Sequence, residues 1–252
     1  MKAGYLVDVD HAVAVENDQV RRFARRLANA LEMRTSERGK GGGARLNAAR
    51  QLEHLEAEAV VAVRFRLPDV PAIARPHLES IRQATSETTN LVILDRDLVV
   101  YVDQVPGLHN VRMFTQVGSS ALAHTTASGK AILAHRPAEF ISELYPGERE
   151  PLERLTPHTQ TTVESLQDDF VRIRRRGYAI DNEEHEDGVS CVAAPVFGGG
   201  IAFAAISISA PTTRIVHADT SELGHMLGRH ATELSSALGD NGTAHGSALA
   251  SS

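Results

Sequence analysis

Two apolar runs separated by three glycines constrain the fold of this chain more than any other feature. The runs are VSCVAAPVF (189–197) and IAFAAISIS (201–209), and GGG lies between them. Short runs of this composition predict β-strands, and consecutive glycines predict a reversal of the chain. We therefore predict two strands joined at the glycines.

Further strands and helices are predicted before and after this pair. NLVIL and LVVYVDQV read as strands separated by the charged turn DRD, and VRMFT (111–115) as another strand. Helices are predicted from Asp69 onward in spite of Pro76, over TTVESLQDDFVRIRRR as far as Gly177, and over about 218–238. Strands that follow one another, interrupted by helices, predict an α+β fold with a largely antiparallel sheet.

Composition excludes several classes of protein. The 252 residues suffice for at most two folded units. Tryptophan is absent and aromatic residues make up 4%, which argues against a stacking platform for single-stranded nucleic acid. A single cysteine excludes an internal disulfide. No apolar run approaches a membrane span and the start does not resemble a signal peptide, so we expect a cytoplasmic protein without membrane contact.

Positive charge is concentrated near the start of the chain. Residues 17–50 contain nine basic and three acidic residues, a charge of +6, whereas the whole chain carries −6. An amphipathic helix is predicted here, with apolar residues on one stripe and four arginines largely outside it. These arginines either contact a polyanion such as DNA or form a solvated basic face. They are Arg21, Arg22, Arg25 and Arg26.

The stretch AHTTASGKAILAH (123–135) concentrates small hydroxyl residues ahead of an apolar run. A phosphate-binding loop would need glycine at His124 and a hydroxyl residue at Ala131, so that interpretation fails. Catalysis by Ser128 with His124 lacks a nucleophile elbow and a third residue. We interpret the stretch as a helix start capped by a threonine or serine hydroxyl.

The charged run EEHED (183–187) raises the question of a metal site. We interpret it as a solvated loop, because no second histidine or cysteine stands at ligand spacing. No metal and no cofactor is expected from the sequence.

Several motifs, in this order, resemble the effector-binding domain of IclR-type bacterial transcriptional regulators. They are IARPHLESIRQATSETTNLVIL, VVYVDQV, HTTASGKAILA, RRRGYAIDNEEHEDGVSCVAAPVF and AAISISAPTTRI, and the resemblance covers about 68–238. It implies a GAF-like fold, in which helices flank a curved, largely antiparallel sheet with a small-molecule pocket. Independently of the resemblance, apolar residues at helical spacing before and after the glycine run at 41–43 predict a mostly helical region ahead of that domain.

The resemblance further implies which residues line the effector pocket. Hydroxyl and carboxyl groups would orient the ligand, and apolar residues would shape the cavity. The effector is expected to be a small organic metabolite bearing a carboxylate or hydroxyl group. The matching positions are Val111, Met113, Ala121, Ala127, Ser128, Asp181, Val189, Cys191, Ser207 and Ser209.

The start of the chain departs from the family pattern. IclR-type regulators begin with a winged helix-turn-helix, and residues 1–44 contain no recognisable example. Three explanations are open: the module has diverged, it has been lost, or 1–50 is an altered reading of the original coding sequence. We expect residues 1–44 to stand in its place, 45–67 to form a linker helix, 68–239 the effector-binding domain, and 240–252 a disordered tail.

These observations together predict a ligand-responsive transcriptional regulator rather than an enzyme. A small-molecule effector, operator DNA and a second copy of the chain, in a homodimer or homotetramer, are the expected partners. Arg21, Arg22, Arg25 and Arg26 are the expected phosphate contacts. The alternative is a ligand-binding sensor that has lost direct DNA binding.

Overall fold

The computed structural model describes residues 70–112, 116–146, 151–215 and 217–240. The predictions for 1–67, including the four arginines, and for 241–252 lie outside the described residues. The helices are α1 (Val70–Thr85), α2 (Ala127–Leu133), α3 (Ala138–Leu144), α4 (Val163–Arg176), α5 (Thr212–Ile215) and α6 (Thr220–Ala237), with a 3₁₀ turn at Ala123–Thr125. The strands are β1 (Thr88–Asp95), β2 (Leu98–Val105), β3 (Ser120–Leu122), β4 (Ala179–Asn182), β5 (Val189–Gly198) and β6 (Ile201–Pro211).

The six strands form one antiparallel sheet in the order β3, β2, β1, β6, β5, β4. The predicted strand pair at the glycines is confirmed as the β5–β6 hairpin. Gly198 pairs with Ile201, and the two glycines between them have φ values of 61° and 83°. Two successive residues with positive φ suit a tight hairpin turn, and glycine adopts that conformation without steric strain. The predicted α+β class is confirmed, and the sheet is curved.

Helices cover both faces of the sheet. α1 and α6 pack on one face, where Leu91, Ile206 and Ile208 belong to the same core as Leu78 and Leu227. The other face carries α2, α3 and α4 over a second core that includes small residues of the central strands. The alternation of side chains along each strand therefore divides the sheet into two unlike surfaces.

Local signals fix the helix ends as predicted. The side chain of Thr162 accepts a hydrogen bond from Ser165 N, and Gly177 ends α4 with φ 83°. α1 continues through Pro76, in agreement with the sequence prediction. Among the helices that the structure describes, none has the length and apolar character needed to cross a membrane.

The strand predicted at 111–115 is wrong in its described part. Val111 and Arg112 lie in the irregular segment between β2 and β3, and 71% of Val111 is exposed. The edge of β2 is instead occupied by β3, through pairs such as Val99 with Ala121. A β-branched run forms a strand only where a neighbour offers hydrogen bonds, and β3 already takes that edge.

Candidate functional site

A path of polar side chains crosses the sheet face that α2 and α4 cover. Cys191 on β5 pairs with Asp181 of β4 on one side and Ser209 of β6 on the other. Its Sγ donates to Ser209 Oγ at 3.2 Å, and Asn90 Nδ2 on β1 donates to the same oxygen at 3.1 Å. Gln104 Nε2 on β2 then donates to Asn90 Oδ1 at 3.0 Å. Hydrogen-bonded polar groups thus run across four adjacent strands.

Burial of this polar path lowers the stability of the fold. Asn90, Ser207, Ser209 and Asp181 are all buried, and buried polar groups are unfavourable relative to apolar packing. The opposite face of the same strands is mostly apolar, and its buried Thr89 and Asp103 are bonded to α1. Convergent polar groups within an otherwise apolar surface are what a small-molecule site requires.

The carboxyl group of Asp181 is unusual within this path. Burial, and then the charge of Glu184, raise the pKa of Asp181 to about 7. Its Oδ1 accepts a hydrogen bond from Glu184 N at 2.7 Å. Both protonation states are therefore accessible near neutral pH, and the protonated form can donate a hydrogen bond to a bound anion.

α2 begins beside this path as the sequence predicts. The Thr126 side chain is the N-cap and accepts from Gly129 N at 3.0 Å. A Cβ at Gly129 would lie 2.1 Å from Ala123 O, so this helix start requires glycine. Ala127 and Ser128, two of the predicted pocket residues, are consequently buried in the first turn of α2, which packs on β5 and β6.

A buried ion cluster fixes the loop that follows Asp181. Lys130 on α2 is fully buried, and its Nζ lies 3.0 Å from Asp169 Oδ2 and 2.5 Å from Glu184 Oε1. Gln160 Nε2 donates to both carboxylates, at 3.3 and 3.4 Å. The prediction of a solvated loop at 183–187 is therefore wrong for Glu184, although Glu186 and Asp187 are exposed. The loop is held because Lys130 neutralises its buried carboxylate.

The pKa values of the two carboxylates in this cluster are shifted in opposite directions. Burial raises the pKa of Glu184, and Lys130 only partly offsets that effect. Burial also acts on Asp169, but Lys130, Arg176 and Arg172 together lower the pKa of Asp169 below its ordinary range. Asp169 is therefore the more firmly ionised partner of Lys130.

The predicted pocket residues divide into three groups. Val111 lies on the exposed segment between β2 and β3, and Met113 lies outside the described residues. Val189 precedes Cys191 by two residues on β5 and so faces the same way. The structure brings the remaining positions together on or beside the polar face. They are Ala121, Ala127, Ser128, Asp181, Val189, Cys191, Ser207 and Ser209.

Sequence reasoning missed three residues of the polar face. Asn90 and Gln104 complete the hydrogen-bonded path, and Tyr101 lies on the same side of β2. Burial, and then Cys191 and Asp181, raise the pKa of the Tyr101 hydroxyl. An amide directly before an apolar strand run, as at Asn90 in TTNLVIL, is the signal that could have indicated the path.

The candidate catalytic pair does not form a reactive site. His124 Nε2 lies 3.0 Å from the backbone oxygen of Glu153. This histidine is thus engaged with the main chain, and Ser128 is buried in the first turn of α2.

Comparison with known proteins identifies the family. A family model described as the bacterial transcriptional regulator IclR C-terminal region matches residues 66–236. The chain belongs to the IclR family. Its matched relatives are transcriptional regulators, in agreement with the expectation that it is not an enzyme.

Individual IclR-family members resemble the chain over about two thirds of its length. The regulator BhcR of Paracoccus denitrificans is 42% identical over 165 residues, which are 64% of this chain and 58% of BhcR. The crystal structure of the Thermotoga maritima IclR is 34% identical with a TM-score of 0.65, covering 73% of this chain and 74% of that one.

A further IclR homologue, from Microbacterium hydrocarbonoxydans, was solved in complex with 4-hydroxybenzoate. It is 25% identical with a TM-score of 0.60, covering 67% of this chain and 68% of that one. Matched segments span between 53% and 62% of the length of four curated regulators.

Proposed function

We propose that this chain is a ligand-responsive transcriptional regulator whose effector binds on the polar face of the sheet. The observation that carries the proposal is the hydrogen-bonded path from Gln104 to Cys191, with Asp181 paired beside it. Buried polar groups cost stability relative to apolar packing, so their convergence on one face supports a role in recognising a ligand.

The chemistry of the path favours a small organic acid that also bears a hydroxyl group. Ser207, Ser209 and Asn90 offer donors and acceptors for a hydroxyl group. Asp181 with a pKa near 7 can hold a proton between its own carboxylate and that of the ligand. The 4-hydroxybenzoate held by the Microbacterium homologue combines these two groups, and we propose the same class of ligand here.

The remaining parts of the function concern residues outside the described ranges. We propose that residues 1–44 and the linker at 45–67 couple the effector domain to DNA in a cytoplasmic homodimer or homotetramer. Arg21, Arg22, Arg25 and Arg26 would neutralise phosphates, which makes the affinity strongly dependent on salt. A ligand changes that affinity only by binding one arrangement of the chain better than another.

A thermal-shift screen tests the ligand site. The probes are 4-hydroxybenzoate and a panel of small hydroxy acids, with the matching acids that lack the hydroxyl group. Binding should raise the Tm of the parent protein, and the double variant Ser207→Ala/Ser209→Ala should lose the shift. The control is Ser236→Ala, an exposed serine of α6, which should respond like the parent. A shift that is equal in all three proteins would place the ligand elsewhere.

A further inference from the structure

Two histidines and a glutamate converge where α1 and α6 pack side by side. His77 on α1 and His230 on α6 are 153 residues apart in the chain, and their Nδ1 atoms lie 3.1 Å apart. Glu233 is one helical turn beyond His230, and its Oε2 lies 3.8 Å from His77 Nδ1. One ligand atom from each residue lies within 4.8 Å of the other two. Sequence spacing could not reveal this set, because tertiary packing creates it.

The spacing of the two nitrogens suits shared coordination of one ion. Two imidazoles bound tetrahedrally to zinc, with Zn–N bonds of about 2.0–2.1 Å, place their nitrogens about 3.3 Å apart. The observed 3.1 Å requires almost no movement. A hydrogen bond between the rings, with an ion pair between His77 and Glu233, would give the same arrangement, and zinc binding distinguishes the two. Histidine, histidine and carboxylate is a set that divalent transition metals favour.

The surroundings hold the ligands in place and leave a side open. Leu78 beside His77, and Leu227 and Ala231 beside His230, are buried in the core between the helices and the sheet. The side chain of Glu233 is 66% exposed, so the ion could complete its coordination with water.

We propose that His77, His230 and Glu233 bind a divalent transition-metal ion of the zinc class that joins α1 to α6. The site belongs to the face of α1 and α6, whereas the polar path lies on the opposite face of the sheet. It therefore lies apart from the proposed effector site. Bound metal would fix the first described helix of the domain against its last one.

Zinc titration of the tag-free full chain, freed of metal by chelation and buffer exchange, tests the proposal. Calorimetry should show one Zn²⁺ per chain for the parent. The variants His77→Gln and His230→Gln should each bind more than about tenfold more weakly, because each removes a ligand. Glu233→Gln, at an exposed position, should also weaken binding. The control is His225→Gln, an exposed histidine on the same helix, and it should bind within about twofold of the parent.

Thermal unfolding gives a second readout of the same site. Zinc should raise the Tm of the parent and of His225→Gln, and should leave the Tm of His77→Gln and His230→Gln unchanged. A parent protein that binds no zinc would overturn the proposal. Binding of unchanged strength in the His77→Gln, His230→Gln and Glu233→Gln variants would overturn it equally, because the histidines would then form only a hydrogen bond.

Discussion

At the residue scale, Asp181 shows how burial turns an ordinary carboxyl group into a titrating one near neutral pH. Its pKa rises from 3.8 to about 7 because burial, and then Glu184, disfavour the anion. Lys130 acts in the opposite direction. A raised folded-state pKa means that the native protein holds a proton which the unfolded chain has already released. The contribution of Asp181 to stability is therefore complete below about pH 4 and is lost as pH rises through 7.

Replacing Asp181 with Asn should make that loss visible. The amide keeps an oxygen for Glu184 N but cannot ionise. Between pH 5 and pH 8 the free energy of unfolding of the parent should therefore fall by about 2–3 kcal/mol more than that of the variant. Urea denaturation at the two pH values measures the difference. Asp187→Asn, at an exposed carboxyl of the same loop, is the control and should show no such gain. A difference independent of pH for Asp181→Asn would contradict the assignment.

Substitution of Gly129 tests the close approach of α2 to the preceding turn. A Cβ there would lie 2.1 Å from the oxygen and 2.4 Å from the Cα of Ala123, and backbone atoms cannot rotate away. Gly129→Ala should therefore lower the free energy of unfolding by about 3 kcal/mol. Gly228→Ala in α6, where a Cβ meets nothing within 4 Å, should raise it by about 0.5–1 kcal/mol. Equal effects of the two substitutions in urea denaturation would show that the contact at Gly129 is not tight.

At the scale of elements, Lys130 joins α2 to α4 and to the loop after β4. Lys130→Met would leave Asp169 and Glu184 buried without a cation, and loss of one partner of a buried ion pair costs about 3–5 kcal/mol. Arg172→Ala removes a partner of Asp169 whose side chain is 60% exposed, and should cost at most about 1 kcal/mol. Denaturant unfolding of both variants measures the contrast.

A double variant separates charge from packing at Lys130. If the cost arises from an unpaired buried carboxylate, adding Glu184→Gln to Lys130→Met should recover part of the lost stability. If Lys130 acts only through its packing, Glu184→Gln should lower the stability of Lys130→Met by as much as it lowers that of the parent. That result would contradict the explanation by charge.

Local signals were sufficient to predict most elements from the sequence. Strand composition located β1, β2, β5 and β6, and the αL glycine at Gly177 located the end of α4. The short elements β3, β4 and α3 were not predicted, because three to seven residues carry too little periodicity to identify. The strand predicted at 111–115 failed where local β-propensity met no free sheet edge.

The candidate site was predictable only in part. The resemblance indicated Asp181, Cys191, Ser207 and Ser209, and the structure places all four on one face. Asn90 and Gln104 were missed because their role arises from strand register rather than from any motif. The ion pairs of Lys130 join residues 39 and 54 positions away, so they depend on tertiary packing that sequence spacing does not encode.

At the scale of the whole molecule, one sheet separates two surfaces of different composition. The face under α1 and α6 is mostly apolar and supplies the larger core, while the face under α2 and α4 carries the buried polar path. We propose that the effector acts on the second face and that DNA is contacted through residues 1–44. A regulator of this design requires that occupation of the polar face alter DNA affinity.

Fluorescence anisotropy measures that coupling most directly. The full chain is mixed with labelled DNA from upstream of its own coding region, in excess non-specific competitor and at two salt concentrations, with and without a hydroxy acid that raises its Tm. We expect the parent to bind DNA in the presence of competitor, with an affinity that the acid changes. Replacement of Arg21, Arg22, Arg25 and Arg26 by Ala should lower the affinity and reduce its dependence on salt. The DNA affinity of Ser207→Ala/Ser209→Ala should not respond to the acid. No DNA binding by the folded protein, or an acid response that survives the double serine variant, would contradict the account.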